Sequence, residues 1–175
     1  MSHRKFMIAT FAAALTAAAN AEPIDACSLL SEADMVELGL SKDAVPSRAS
    51  QPGGVEACSY RLPSSGNAAS SGMASVILSQ GVPERALQLR ALQAKAQSEN
   101  TPAQLQARGE YYEGNVMCKL VLASQQETSQ CLGASDQSVV ALALTRPNLG
   151  NKVAFPAAQL RITAALVARV VSRGG

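Results

Sequence analysis

Four cysteines, Cys27, Cys58, Cys118 and Cys131, constrain this chain more than any other feature, because the segment before them reads as an export signal. Arg4 and Lys5 make a short basic start, positions 6–19 form an apolar run without a charge, and Ala19-Asn20-Ala21 is a small-x-small cleavage site. Residues 1–21 are therefore expected to be removed, leaving one domain over residues 22–175 in the periplasm, where thiols oxidise. The only histidine, His3, leaves with the signal. The product then lacks the side chain most used for acid–base chemistry and metal binding near neutral pH.

Removing Arg4 and Lys5 also balances the charge at thirteen bases and thirteen acids. A nucleic-acid partner loses its electrostatic basis. The balance is uneven along the chain: seven acids stand between Glu22 and Cys58 against Lys42 and Arg48, and five bases but no acid follow Asp136. Such polarisation predicts that the two ends attract each other in the fold, or that they steer a charged partner. After the signal no apolar stretch approaches the roughly 20 residues of a membrane-spanning helix. A second reading of Ile24-Asp25-Ala26-Cys27 makes Cys27 a lipidated first residue, although Asp25 stands where a small or apolar residue is expected.

Ser31 and Asp34 form a reciprocal cap at a helix start, Leu30 and Met35 a hydrophobic staple, and Gly39 a left-handed stop onto which Leu40 folds back. Positions 42–54, with Pro46, Pro52 and two glycines, predict a loop. Alternation over 56–62 puts Cys58, Tyr60 and Leu62 on one face of a strand and Ala57, Ser59 and Arg61 on the other. A Gly/Ser/Asn-rich loop at 63–72 leads to a second strand at 73–80.

Pro83 opens a long helix reaching Glu99, with Ala86, Leu89, Leu92 and Ala96 as its expected buried stripe. A short helix follows Thr101 and Pro102, ending at Gly109. Strands are predicted over 110–113, 116–123, 128–132 and 137–145, the last apolar on both faces and so central in the sheet. Phe155 and Pro156 begin a terminal helix with Leu160, Ala164, Val167 and Val171 buried and Arg161, Arg169 and Arg173 on another arc. That arginine arc reads as a solvated face or as an anion site. The order predicts an α+β fold: a mainly antiparallel sheet packed against the long middle helix and the C-terminal helix.

Sequence alone permits three pairings of four cysteines. Cys118 and Cys131 stand symmetrically about Ser124 and Gln125 and would face each other across a hairpin, which leaves Cys27 to tie the first helix to the first strand at Cys58. No Cys-x-x-Cys, nucleophile elbow, phosphate-binding glycine loop or histidine-based zinc motif is present, so no cofactor and no metal site is expected. Glu110 and Glu113, beside Tyr111 and Tyr112, are the one candidate carboxylate pair for a hydrolase. Residues three apart in a strand, however, point to opposite faces.

The run Asp25-Ala26-Cys27-Ser28-Leu29-Leu30-Ser31-Glu32-Ala33-Asp34, then Leu38-Gly39-Leu40 and Cys58-Ser59-Tyr60, resembles small exported bacterial envelope proteins of the domain-of-unknown-function 3558 family. The likeness covers about the first 35 residues after the signal. It implies a Cys27–Cys58 disulfide and a compact α+β domain of binding type. Tyr60 stands where a Trp is frequent in that group, and a Cys118/Cys131 pair is not associated with it.

A non-catalytic recognition protein that binds an envelope protein partner is the expectation, one form being a toxin-neutralising immunity protein or an inhibitor. A sensor or carrier of a small ligand near Tyr111 and Tyr112 is the second expectation, and a hydrolase the third. The candidate binding residues are Glu110, Tyr111, Tyr112, Glu113, Arg161, Arg169 and Arg173.

Overall fold

The computed structural model describes residues 23–63, 72–123, 126–147 and 157–174. The signal segment, the greater part of the 63–72 loop, Ser124 with Gln125, and the Phe155-Pro156 helix start lie outside these residues. The elements run in the order α1 (Glu32–Glu37), β1 (Ser47–Gln51), β2 (Val55–Arg61), β3 (Met73–Gln80), α2 (Pro83–Glu99), α3 (Pro102–Ala107), β4 (Glu110–Glu113), β5 (Val116–Leu122), β6 (Gln126–Ala134), β7 (Ser138–Pro147) and α4 (Ala157–Gly174). A single 3₁₀ turn, Ala26–Ser28, precedes α1.

One seven-stranded sheet has the order β1-β2-β3-β7-β6-β5-β4, and each neighbouring pair is antiparallel. It is two meanders joined side by side along β3 and β7, with the all-round apolar β7 at the centre. The chain must cross from β3 to the far edge at β4, four strand spacings or roughly 19 Å. The 17 residues of α2 reach about 25 Å and make that crossing. Val82 N–H donates to Gln137 O at 2.9 Å beside the β6–β7 turn, and Gln97 Nε2 lies 3.5 Å from Gly114 O in the β4–β5 turn. Both turns are at the same end of the sheet, so α2 lies across that end.

The main core is on the other face. Val76, Leu78, Val116, Val140 and Leu142 there meet Leu160, Leu166 and Val170 of α4 and Leu29, Leu38 and Leu40 around α1. Gly133 is the point of closest approach between β6 and α4: a Cβ built on it would stand 2.6 Å from Val167 Cγ2 and 3.3 Å from Val116 Cγ2. Both neighbours are β-branched and held in packed rotamers. A Gly133→Ala variant is expected to lose about 1–3 kcal/mol of stability by overpacking, read as a lowered urea midpoint.

The α1 start has the expected reciprocal cap. Asp34 N–H donates to Ser31 Oγ at 3.2 Å, while Asp34 Oδ2 accepts from Ser31 N–H at 2.8 Å and Ser31 Oγ at 2.6 Å. At the other end Gly39 takes φ +78°, and Leu40 N–H returns to Met35 O at 2.8 Å. This is the double-bonded left-handed stop that only glycine enters without cost.

Three expectations are corrected. Positions 42–54 contain a strand, β1, paired antiparallel with β2; all five of its residues are exposed, so no hydrophobic period marks it. In α2, Leu92 is 65% exposed and Gln93 is buried in its place, donating Nε2 to Leu132 O at 3.2 Å. In α4, Ala164 and Val171 are exposed, while Ile162, Thr163, Leu166 and Val170 are buried beside Leu160 and Val167. The buried stripe is turned by about a quarter turn from the one the apolar residues suggest.

Candidate functional site

Cys58, Cys118 and Cys131 are fully buried in the core, and the disulfides are Cys27–Cys58 and Cys118–Cys131. Cys118 and Cys131 stand directly opposite each other in the β5–β6 register. Cys27–Cys58 ties the 3₁₀ turn to β2, and Tyr60 donates its hydroxyl to Cys27 O at 3.2 Å beside it. Burial raises the Tyr60 phenol above its ordinary range, and the charge of Asp25 adds to the effect.

The three candidate arginines of α4 close onto the N-terminal segment rather than onto a ligand. Arg169 Nη1 donates to Asp34 Oδ2 at 2.5 Å and to Leu29 O at 2.6 Å. Arg173 Nη1 donates to Ser28 Oγ at 2.6 Å, and Arg161 pairs with Glu37. Arg146 of β7 adds a bond to Leu38 O at 3.0 Å. The acid-rich start and the base-rich end of the chain thus attract each other within the fold. Burial opposes ionisation of Asp34, but the hydrogen bonds from Arg169 and Ser31 outweigh it and hold the carboxyl below the usual range.

At the far edge, Glu110, Tyr111 and Tyr112 come together in a cleft of about 220 Å³ with Gln97, Asn100 and Leu105. Glu110 Oε2 lies 3.3 Å from Arg108 Nη2 and Oε1 3.8 Å from Lys119 Nζ. The Tyr112 phenol is raised by burial, then by the charge of Glu110. Glu113 is exposed and on the opposite face of β4 from Glu110. The two carboxylates are not assembled into a pair. Among the described residues no three His, Cys, Asp or Glu side chains gather as a metal site would require, and no helix is long and apolar enough to cross a membrane.

A second hollow, of about 540 Å³, opens between Ile24, Glu56, Gln80 and Val170. Gln80 holds Ile24 at its rim, donating Nε2 to Ile24 O at 3.0 Å and accepting from Ile24 N–H at 3.3 Å.

A further feature, which no sequence motif marks, is the open part of one sheet face. On the sheet face that carries α2, the rows nearest the helix are partly covered: Ser79, Ala134 and Ala141 are buried, and Ile77, Leu132 and Met117 half-buried. The next two rows run Ser59, Ser75, Ala143, Gln130, Lys119 and Arg61, Met73, Thr145, Thr128, Val121. Five of these ten residues, Arg61, Met73, Gln130, Lys119 and Val121, are exposed and the other five half-buried, whereas the residues between them on the other face, from Cys58 and Val76 to Leu142 and Cys131, are buried. The signal for this face was the Ala57, Ser59, Arg61 side of β2, whose small and polar residues leave nothing to bury. Its charged groups are Arg61 and Lys119, with Glu110 paired to the latter at the edge. No family model, curated protein or solved structure matches the chain.

Proposed function

We propose that this chain is an exported, non-catalytic recognition protein of the periplasm that binds a protein partner with an acidic surface across the open part of its sheet. The observation that carries the reading is the pair of rows, between Ser59 and Lys119 and between Arg61 and Val121, over which no described helix is packed. They form a flat floor of hydroxyl, methyl and amide groups, with exposed Met73 and Val121 toward its two sides and Arg61 and Lys119 as its cations. An antiparallel sheet tolerates a solvated face, but here that face carries hydrophobic residues at 48% and 53% exposure within a polar setting, which suits a partner's surface. The export signal and the resemblance of the N-terminal segment to the domain-of-unknown-function 3558 family support the location. An envelope enzyme or toxin neutralised by this protein is the form of partner that steering by fixed charges favours.

Capture from periplasmic extract tests the proposal when it is made with charge-reversed faces. The wild type is expected to retain a defined partner. Arg61→Glu with Gln130→Glu is expected to weaken capture by about tenfold or more, equal to ~1.4 kcal/mol, with an unchanged melting temperature. Equal capture by the wild type and the variant, or no defined partner for either, would contradict it.

A further inference from the structure

We propose that the cleft between the end of α2, α3 and β4 is a binding subsite for one ring of a neutral saccharide. The inference stands apart from the protein-binding face. The cleft's volume of about 220 Å³ is below the roughly 300 Å³ at which sites for larger organic ligands begin, so it takes one ring or the end of a chain.

Its lining is polar in a particular sense. Asn100 Nδ2 is engaged by Ala96 O at 2.8 Å, and Gln97 Nε2 is placed against Gln93 O at 3.4 Å and Gly114 O at 3.5 Å. The amide nitrogens thus bond to carbonyls of α2 and of the β4–β5 turn, which leaves Asn100 Oδ1 and Gln97 Oε1 as acceptors and a second N–H on Asn100 as a donor. Glu110 adds a carboxylate that is already paired with Arg108 and Lys119. Amide groups that can both accept and donate, beside a carboxylate already held by two cations, are matched by a ligand of many hydroxyls that is itself uncharged. An organic cation would have to compete with two basic residues for Glu110. An anion would meet the carboxylate directly.

The remaining walls supply what a sugar ring needs besides hydroxyl partners. Tyr112 contributes an aromatic ring beside the hydroxyl-binding groups, and Leu105 is a buried apolar floor. The site is also held in shape before any ligand arrives. Thr101 and Gln104 cap α3 reciprocally, and Gly109, at φ +70°, turns the chain into β4 where a Cβ would meet Leu120 O at 2.7 Å. Rigid walls lower the ordering cost of binding a weak, polar ligand.

The test is a titration of the uniformly ¹⁵N-labelled protein with N-acetylglucosamine, glucose and galactose, with choline and inorganic phosphate as charged comparators. At least one sugar is expected to give saturable shifts confined to Gln97, Asn100, Leu105 and the Glu110–Tyr112 amides, with a dissociation constant of about 1 mM. Gln97→Leu, which removes one acceptor at an exposed position, is expected to weaken that constant about tenfold while leaving the melting temperature unchanged. Absence of localised shifts with all three sugars would overturn the proposal. So would stronger shifts at the same residues with choline or phosphate, or a Gln97→Leu protein that binds as the wild type does.

Discussion

The double variant Cys27→Ser with Cys58→Ser is expected to melt about 8–16 °C below the wild type, from a loss of ~4 kcal/mol. Chain entropy gives that figure for a bridge spanning 31 residues, and the structure adds reasons to expect the whole of it. Cys58 is fully buried, and the segment it tethers carries Ala26 at 1% and Leu29 at 0% exposure. Releasing it also deprives the Tyr60 hydroxyl of Cys27 O. The Cys118–Cys131 bridge closes a loop of 13 residues, and the corresponding variant is expected to lose about 3 kcal/mol, since the β5–β6 ladder still holds the register. Differential scanning calorimetry of both variants decides the matter. An unchanged melting temperature without Cys27 and Cys58, or a larger loss without the hairpin bridge, would contradict the ranking.

Arg169→Ala is expected to lower stability at neutral pH by about 2–3 kcal/mol, because it leaves the Asp34 carboxylate, 12% exposed, without its cation. The loss carries a pH signature. In the wild type the folded-state pKa of Asp34 lies below the unfolded value of about 3.9. The ion pair therefore contributes fully above that value and is lost as pH falls through the lowered folded-state value. In the variant burial still raises the carboxyl's pKa and only the Ser31 bonds oppose it, so acid costs it less. Urea midpoints measured from neutral pH to below pH ~3 should show wild type and variant converging as acid is added. A difference that stays constant over the same range would show that Arg169 acts through packing rather than through Asp34.

How much of this was readable in the sequence depends on whether a residue's role is local. The α1 cap needs only Ser31 and Asp34 three positions apart, and the ends of β3 and α2 are marked by Gln80-Gly81 and Pro83; these were legible. The centrality of β7 followed from its being apolar on both faces. Strand β1 was not legible because an exposed edge strand has no burial pattern to display.

The stripe of α4 was misread for a related reason. Ala164 and Val171 are apolar but exposed, whereas Thr163 is polar and fully buried beneath the α4–β6 contact at Gly133. Composition cannot tell which arc meets the sheet when alanine and valine occupy both. Arg169 and Arg173 flank the buried arc, which is why they reach α1 and the 3₁₀ turn instead of water alone.

The candidate site was legible in part. Tyr111, Tyr112 and Glu110 were singled out from their aromatic and acidic character, and they do share a cleft. Gln97 and Asn100, which close it, were hidden because amides at a helix end carry no motif. The open sheet face was hidden more deeply, since it is defined by pairing between β2, β3, β7, β6 and β5, and only the strand order makes Ser75, Ala143 and Gln130 neighbours.

The central claim is that the open rows of this face, and not the α4 side of the molecule, meet the partner. Site-specific photo-crosslinking in intact cells tests it most directly, with the reactive side chain placed at Gln130 on the open face or at Ala164 on the exposed side of α4. A single defined protein adduct from Gln130 and none from Ala164 is the predicted result. An adduct from Ala164 with none from Gln130 would contradict it.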